Sequence, residues 1–115
     1  MTPPIVVVLC TAPAAAGDGR LGADDLARRL VEEQLCACVN VVPGVRSFFR
    51  WQDKVERADE LLLICKTTAV AAHRLRDRIA ELHPYQVPEV LELAVAAGLP
   101  AYLEWLTAAV QPPRT

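Results

Sequence analysis

Aromatic side chains make up only 5% of this 115-residue chain, although 53% of it is hydrophobic. A core must therefore be assembled mainly from Val, Leu, Ile and Ala while the 23% of charged residues keep the outside wet, which is the balance of a globular chain rather than a disordered one. No stretch approaches the ~20 apolar residues that cross a bilayer. The apolar run at residues 5–10 has neither the basic leader nor the length of a signal peptide, so no membrane role is expected and a cytoplasmic location is. The net charge is only -2 and acids and bases are interspersed, which removes the electrostatic footprint that a nucleic-acid partner requires.

Other absences bear on chemistry. The cysteines, at positions 10, 36, 38 and 65, form no Cys-x-x-Cys pair and have no His at zinc-finger spacing, so neither a disulfide framework nor a structural zinc site is signalled. There is no Gly-x-Ser-x-Gly elbow, no phosphate-binding glycine loop and no sequence pairing of a nucleophile with a base. The chain is not expected to be an enzyme, and no catalytic residue is nominated.

What is present reads as one domain over residues 1–115. Ile5-Val-Val-Val-Leu-Cys10 is an unalternating, β-branched run that suits a central strand buried on both faces. Pro13, Gly17, Gly19 and Gly22 mark a loop over residues 12–22. Asp24 and Asp25 then favour a helix start, with Leu26, Leu30, Val31 and Leu35 as its apolar stripe. Residues 37–51 read as a long edge strand with a bulge or bend at Pro43-Gly44. Gln52-Asp53-Lys54 turns the chain back toward a second apolar strand, Leu61 to Cys65, closing at Lys66-Thr67-Thr68. Thr68 suits an N-cap, and Ala71, Leu75, Ile79 and Leu82 give a helix over residues 69–82 that Pro84 ends. A fourth strand over residues 90–95 precedes a final helix opened by Gly98 and Pro100 and carrying Leu103, Leu106 and Val110, with a frayed tail at residues 112–115.

The order βαββαβ plus a C-terminal helix predicts an α+β, ferredoxin-like split βαβ sandwich with the first and third strands at the centre. Both crossover helices cover one face only. The unbroken apolar runs leave a second face that another subunit is expected to cover.

These residues resemble the CutA family of divalent-cation-tolerance proteins along nearly the whole chain. The resemblance rests on Val6-Val-Val-Leu-Cys10-Thr-Ala-Pro13, Leu35-Cys-Ala-Cys38-Val-Asn40, Pro43-Gly44, Ser47, Trp51, Lys54 and Lys66-Thr67-Thr68. His83-Pro-Tyr-Gln-Val-Pro-Glu89 is its most specific block, and Tyr102-Leu-Glu-Trp-Leu106 completes it. It implies a homotrimer in which long strand hairpins reach neighbouring subunits, and an association with tolerance of divalent metals, copper above all, without an established reaction. The sequence departs from the family pattern in three places. Gln52-Asp53 stands where Glu-Gly is usual, the loop after Cys10 is longer, and Leu82 occupies a position that some members fill with a second histidine.

Cys10, His83 and Glu89 would offer thiolate, imidazole and carboxylate, a set that copper or another divalent cation can use if the fold gathers them. The alternative is a buried apolar Cys10, a helix-stopping His83 and a solvated Glu89. Cys36 and Cys38 could share a face and hold a soft ion such as Cu(I), or else Cys36 caps the packed end of the first helix while Cys38 and Cys65 fill the core. Lys66 could bring a positive charge to an intersubunit cleft with Trp51 and Tyr85, suited to a small anionic ligand, or could pair with a carboxylate. His73 lies off its helix's apolar stripe and is assigned no role. The leading expectation is a non-enzymatic, trimeric, metal-associated protein of copper or divalent-cation homeostasis. Its alternatives are a PII-like signalling trimer, with a small molecule or protein partner in the intersubunit clefts, and a stable structural scaffold.

Overall fold

The computed structural model describes residues 3–110; the tail expected over residues 112–115 lies outside the described part. Within the described residues the chain runs β1 (Ile5–Ala12), α1 (Ala23–Glu32), β2 (Cys38–Trp51), β3 (Lys54–Thr68), α2 (Ala69–Leu82), β4 (Leu91–Ala94) and α3 (Pro100–Ala109). The sheet order is β2-β3-β1-β4, antiparallel throughout, so β1 and β3 are central and the ferredoxin-like expectation holds.

Strand alternation decides what is buried. On β1 the side chains of Val6, Val8, Cys10 and Ala12 face the helices beside Leu63 and Cys65 of β3, where Leu26, Leu30, Leu75, Ile79 and Leu82 close over them. Burying a Leu or Ile of this kind contributes about 1.5–3 kcal/mol each relative to exposure. The other side is different: Val7, Leu9, Leu62 and Ile64 are only half-buried, and Leu91 and Leu93 are 56% and 51% exposed. Instead of being buried on both faces, β1 is thus sealed on one and half-open on the other. Helix α3 covers one end of the open face, with Leu106 and Val110 packed on Ile5, Ala37 and Ala71.

Helix α2 occupies the expected residues because its ends are set by strong local chemistry. The Thr68 hydroxyl accepts from the Ala71 N–H at 3.2 Å, and Pro84 forces His83 into an extended conformation. Helix α1 is shorter than its apolar stripe suggested. It ends at Glu32, Gln34 turns the chain through a left-handed φ of 60°, and Leu35 is buried in the connection with its N–H on the Leu30 carbonyl. Val31 is accordingly 39% exposed and leaves the stripe. The Thr67 hydroxyl donates to the Leu35 carbonyl at 2.7 Å and the Ala37 N–H to the Lys66 carbonyl at 2.9 Å, which ties this connection to β3.

The hairpin exceeds the expectation. Pairing between β2 and β3 continues from Cys38↔Lys66 to Trp51↔Lys54, with the bulge at Pro43-Gly44, where Gly44 has φ +80°. Because β1 stops at Ala12↔Leu61, the outer arms beyond that rung pair only with each other and extend the molecule to 47 Å in its longest dimension. Both turn residues, Gln52 and Asp53, adopt positive φ (51° and 64°), the conformation of a type I′ turn. At the opposite edge β4 is shorter than expected, covering Leu91–Ala94, while Val90 lies outside it and packs on the core.

Candidate functional site

The helix-side end of β1 gathers the polar residues of the His83–Glu89 segment. His83 is fully buried because Pro84 turns the chain sharply inward at the end of α2. Its Nε2 lies 2.7 Å from the Thr11 carbonyl and its Nδ1 accepts the Tyr85 N–H at 3.0 Å. A carbonyl can only accept, so the proton sits on Nε2 and both ring nitrogens are engaged within the fold. Burial, partly offset by the Thr11 hydrogen bond and the Glu60 charge, lowers the imidazole pKa from its ordinary 6.5. Arg20, from the long loop after β1, donates to the Glu81 and His83 carbonyls and holds that loop against the end of α2.

Cys10 is completely buried beneath this segment, and burial, followed by the charges of Cys65, Glu89 and Glu60, pushes its thiol up to about 12. Glu89 is exposed. A copper or zinc site at Cys10, His83 and Glu89 needs a free imidazole lone pair and a readily ionised thiol, and this arrangement supplies neither. Among the described residues no group of three or more His, Cys, Asp or Glu side chains is placed to hold a metal ion. The three residues therefore do not fit the ion.

Cys36 and Cys38 part company. Cys36 is buried, with its thiol hydrogen-bonded to Cys65 and driven well above the ordinary range by that bond and by burial. Cys38 is half-buried, 3.6 Å from the Lys66 ammonium. Lys66 also donates to the Asn40 side-chain oxygen. It sits opposite Cys38, eight residues along β3 from Ala58, which is about 26 Å at 3.3 Å per residue. Within one chain Lys66 is thus remote from Trp51 and Tyr85.

Trp51 and Tyr85, by contrast, are brought together. With Phe49, Glu56, Ala58 and Val87 they line a cleft of about 410 Å³ where the segment after α2 crosses the outer arms of the hairpin. Tyr85 stands edge-on to His83, ring centres 4.7 Å apart, so the buried imidazole fixes one wall of the cleft. Burial and a hydrogen bond to Glu60 push the Tyr85 hydroxyl up to about 12. Glu60 is itself 94% buried, its exposure being 6%. Sequence reasoning missed Glu60, because an acid just before the apolar run Leu61–Cys65 resembles a solvated strand end. Only the arrival of residues 83–90 over the hairpin reveals its burial.

The sheet order, the helix placement and this cleft define a ferredoxin-like α+β protein with an extended hairpin. The chain belongs to the family described as CutA1 divalent ion tolerance protein, whose family model matches residues 6–109. The divalent-cation tolerance protein CutA of Thermus thermophilus is 48% identical over 100 residues, spanning 87% of this chain and 92% of that protein. The crystal structure of CutA1 from Oryza sativa superposes with a TM-score of 0.86 at 38% identity, covering 96% of each chain. The PII-like protein CutA from a Nostoc species superposes with a TM-score of 0.83 at 33% identity, covering 94% of this chain and 99% of that one.

Proposed function

We propose that this member of the divalent-cation tolerance family is a non-enzymatic homotrimer that acts as a PII-like signalling module, taking a small molecule or a protein partner in the cleft lined by Trp51 and Tyr85. One observation carries this reading. The aromatic cleft leaves its binding surfaces free, whereas the candidate metal donors Cys10 and His83 are buried and already engaged. Direct copper or divalent-cation binding at Cys10, His83 and Glu89 is the weaker reading for the same reason. Self-assembly is supported by the half-open apolar sheet face and by a two-stranded overhang of a kind that is marginal alone in water.

The test is calorimetric titration of the reduced, metal-free protein with Cu(I), Cu(II) and Zn(II), beside a thermal-shift screen of cationic, neutral and anionic small molecules. The expected result is no saturable ion site that Cys10→Ala removes, and at least one small molecule whose stabilisation disappears in Trp51→Leu. One ion per chain bound by the wild type and lost in Cys10→Ala would reverse the order of the two readings.

A further inference from the structure

Besides its edge-on contact with the His83 ring, Tyr85 is held in the cleft wall by two polar contacts, its N–H on the His83 Nδ1 at 3.0 Å and its hydroxyl on Glu60. Among the described residues no backbone-to-backbone hydrogen bond joins residues 84–90 to the rest of the fold, and the next anchor along the chain is Val90, packed on the core. Tyr85, Gln86 and Val87 line the cleft and are exposed, so this stretch keeps its place through the His83 side chain rather than through burial. The imidazole is fixed in turn. Its Nε2 donates to the Thr11 carbonyl at 2.7 Å, which leaves Nδ1 as the position that a second proton must take.

We propose that protonation of His83 at Nδ1 releases Tyr85 and dismantles this wall of the cleft, so that the site is intact only while the imidazole is neutral. A protonated Nδ1 is a donor, and it would face the Tyr85 N–H, another donor, with no acceptor between them. The same event loosens the Tyr85 hydroxyl. Glu60 lies within electrostatic reach of the imidazole, and a charged ring draws its carboxylate in competition with the phenol. Of the other groups around the ring, Cys10 on β1 and Tyr85 itself are pushed up to about 12 and stay protonated in acid. Arg20, from the loop after β1, brings its permanent cation to the His83 carbonyl. Glu89, whose charge reaches Cys10, is exposed. Burial places the change of charge on His83 below 6.5, so the wall is intact above that pH and is lost as pH falls through the folded value. The release is local, because Leu75, Ile79 and Leu82 close the core beneath without Tyr85.

This switch rests on the cleft reading only for its use. It is measured without a ligand, so its failure is separate from a failure of the small-molecule screen. Two-dimensional 1H–15N spectra of the full chain, from pH 8 down to the onset of unfolding seen by circular dichroism, follow the His83 ring nitrogens, the Tyr85 amide and the Trp51 indole N–H together. The exposed His73 serves as the reference titration. Protection of the Tyr85 amide against exchange is expected to fall about tenfold, and the Trp51 indole signal to move, at the midpoint of the His83 titration. His83→Gln keeps a donor and an acceptor without a titrating ring and should hold both signals constant. A Tyr85 amide that stays protected while His83 titrates would overturn the switch. A pH response that persists in His83→Gln would overturn it as well and assign the response to Glu60 or Glu89. So would a His83 ring that stays neutral until the fold is lost. If His83→Gln does not fold, agreement or disagreement of the wild-type midpoints decides.

Discussion

His83 stands in the most specific sequence block of the chain, yet its chemistry is directed inward. Removing its two hydrogen bonds takes the imidazole donor from the Thr11 carbonyl and the acceptor from the Tyr85 N–H and leaves a cavity at a fully buried position, so His83→Ala should destabilise the fold by about 2–4 kcal/mol, measured by urea unfolding. The pH dependence has a definite sign. Burial lowers the folded-state pKa below the unfolded 6.5, so the unfolded chain binds the extra proton in that window. Stability from the neutral ring is complete above 6.5 and is lost as pH falls through the folded value. The unfolding midpoint of the wild type should therefore drop on acidification below 6.5, and His83→Gln should flatten that slope. A lowered pKa at Glu33, caused first by its hydrogen bond to Arg78, acts in a separate window below 4.5. Single residues were the least legible scale: Cys10, His83 and Glu89 could be named as donors, but which lone pairs are free depends on contacts such as Thr11 to His83, 72 positions apart.

At the scale of elements, the sequence was legible wherever a residue type dictates backbone geometry. Thr68 and Pro84 bracket α2, and Pro43-Gly44 marks the bulge. Legibility failed where pairing is set by tertiary context. Residues 54–60 carry Lys, Val, Glu, Arg, Ala, Asp and Glu with no apolar period, yet they are strand because the turn at Gln52-Asp53 zips them onto β2. Val31 was misplaced because the helix stripe was continued through the left-handed turn at Gln34. Two predictions belong here. Thr68→Ala removes the cap of α2 and should cost about 1 kcal/mol in denaturant unfolding. Asp53→Gly relieves a positive φ at a position that favours glycine in a type I′ turn, and should raise the melting temperature, by an amount corresponding to about 1 kcal/mol. A lowered melting temperature would show that Asp53 supports the turn by contacts that outweigh this relief.

For the whole molecule, the fold class and the central placement of β1 and β3 followed from element order and from the two unalternating apolar strands. What could not be read was how well the second face is covered, since that depends on where α3 lies. It shields Ile5 and leaves Val7, Leu9, Leu62, Ile64, Leu91 and Leu93 as an apolar surface on the open side of β1, β3 and β4. Among the described residues no helix is long and apolar enough to cross a membrane. A face of this kind is the sort that a second copy of the chain closes, and the overhanging hairpin supplies an arm with which to do so. Charge placed at its centre, as in Ile64→Lys, should disrupt assembly without entering the helix-side core. The most direct measurement is sedimentation equilibrium of the wild type and of Ile64→Lys. The expected result is a wild-type mass of three times the 12.6 kDa chain, with the variant shifted toward the single-chain mass. A wild type that sediments as a single 12.6 kDa chain across the micromolar range would contradict the proposed trimer.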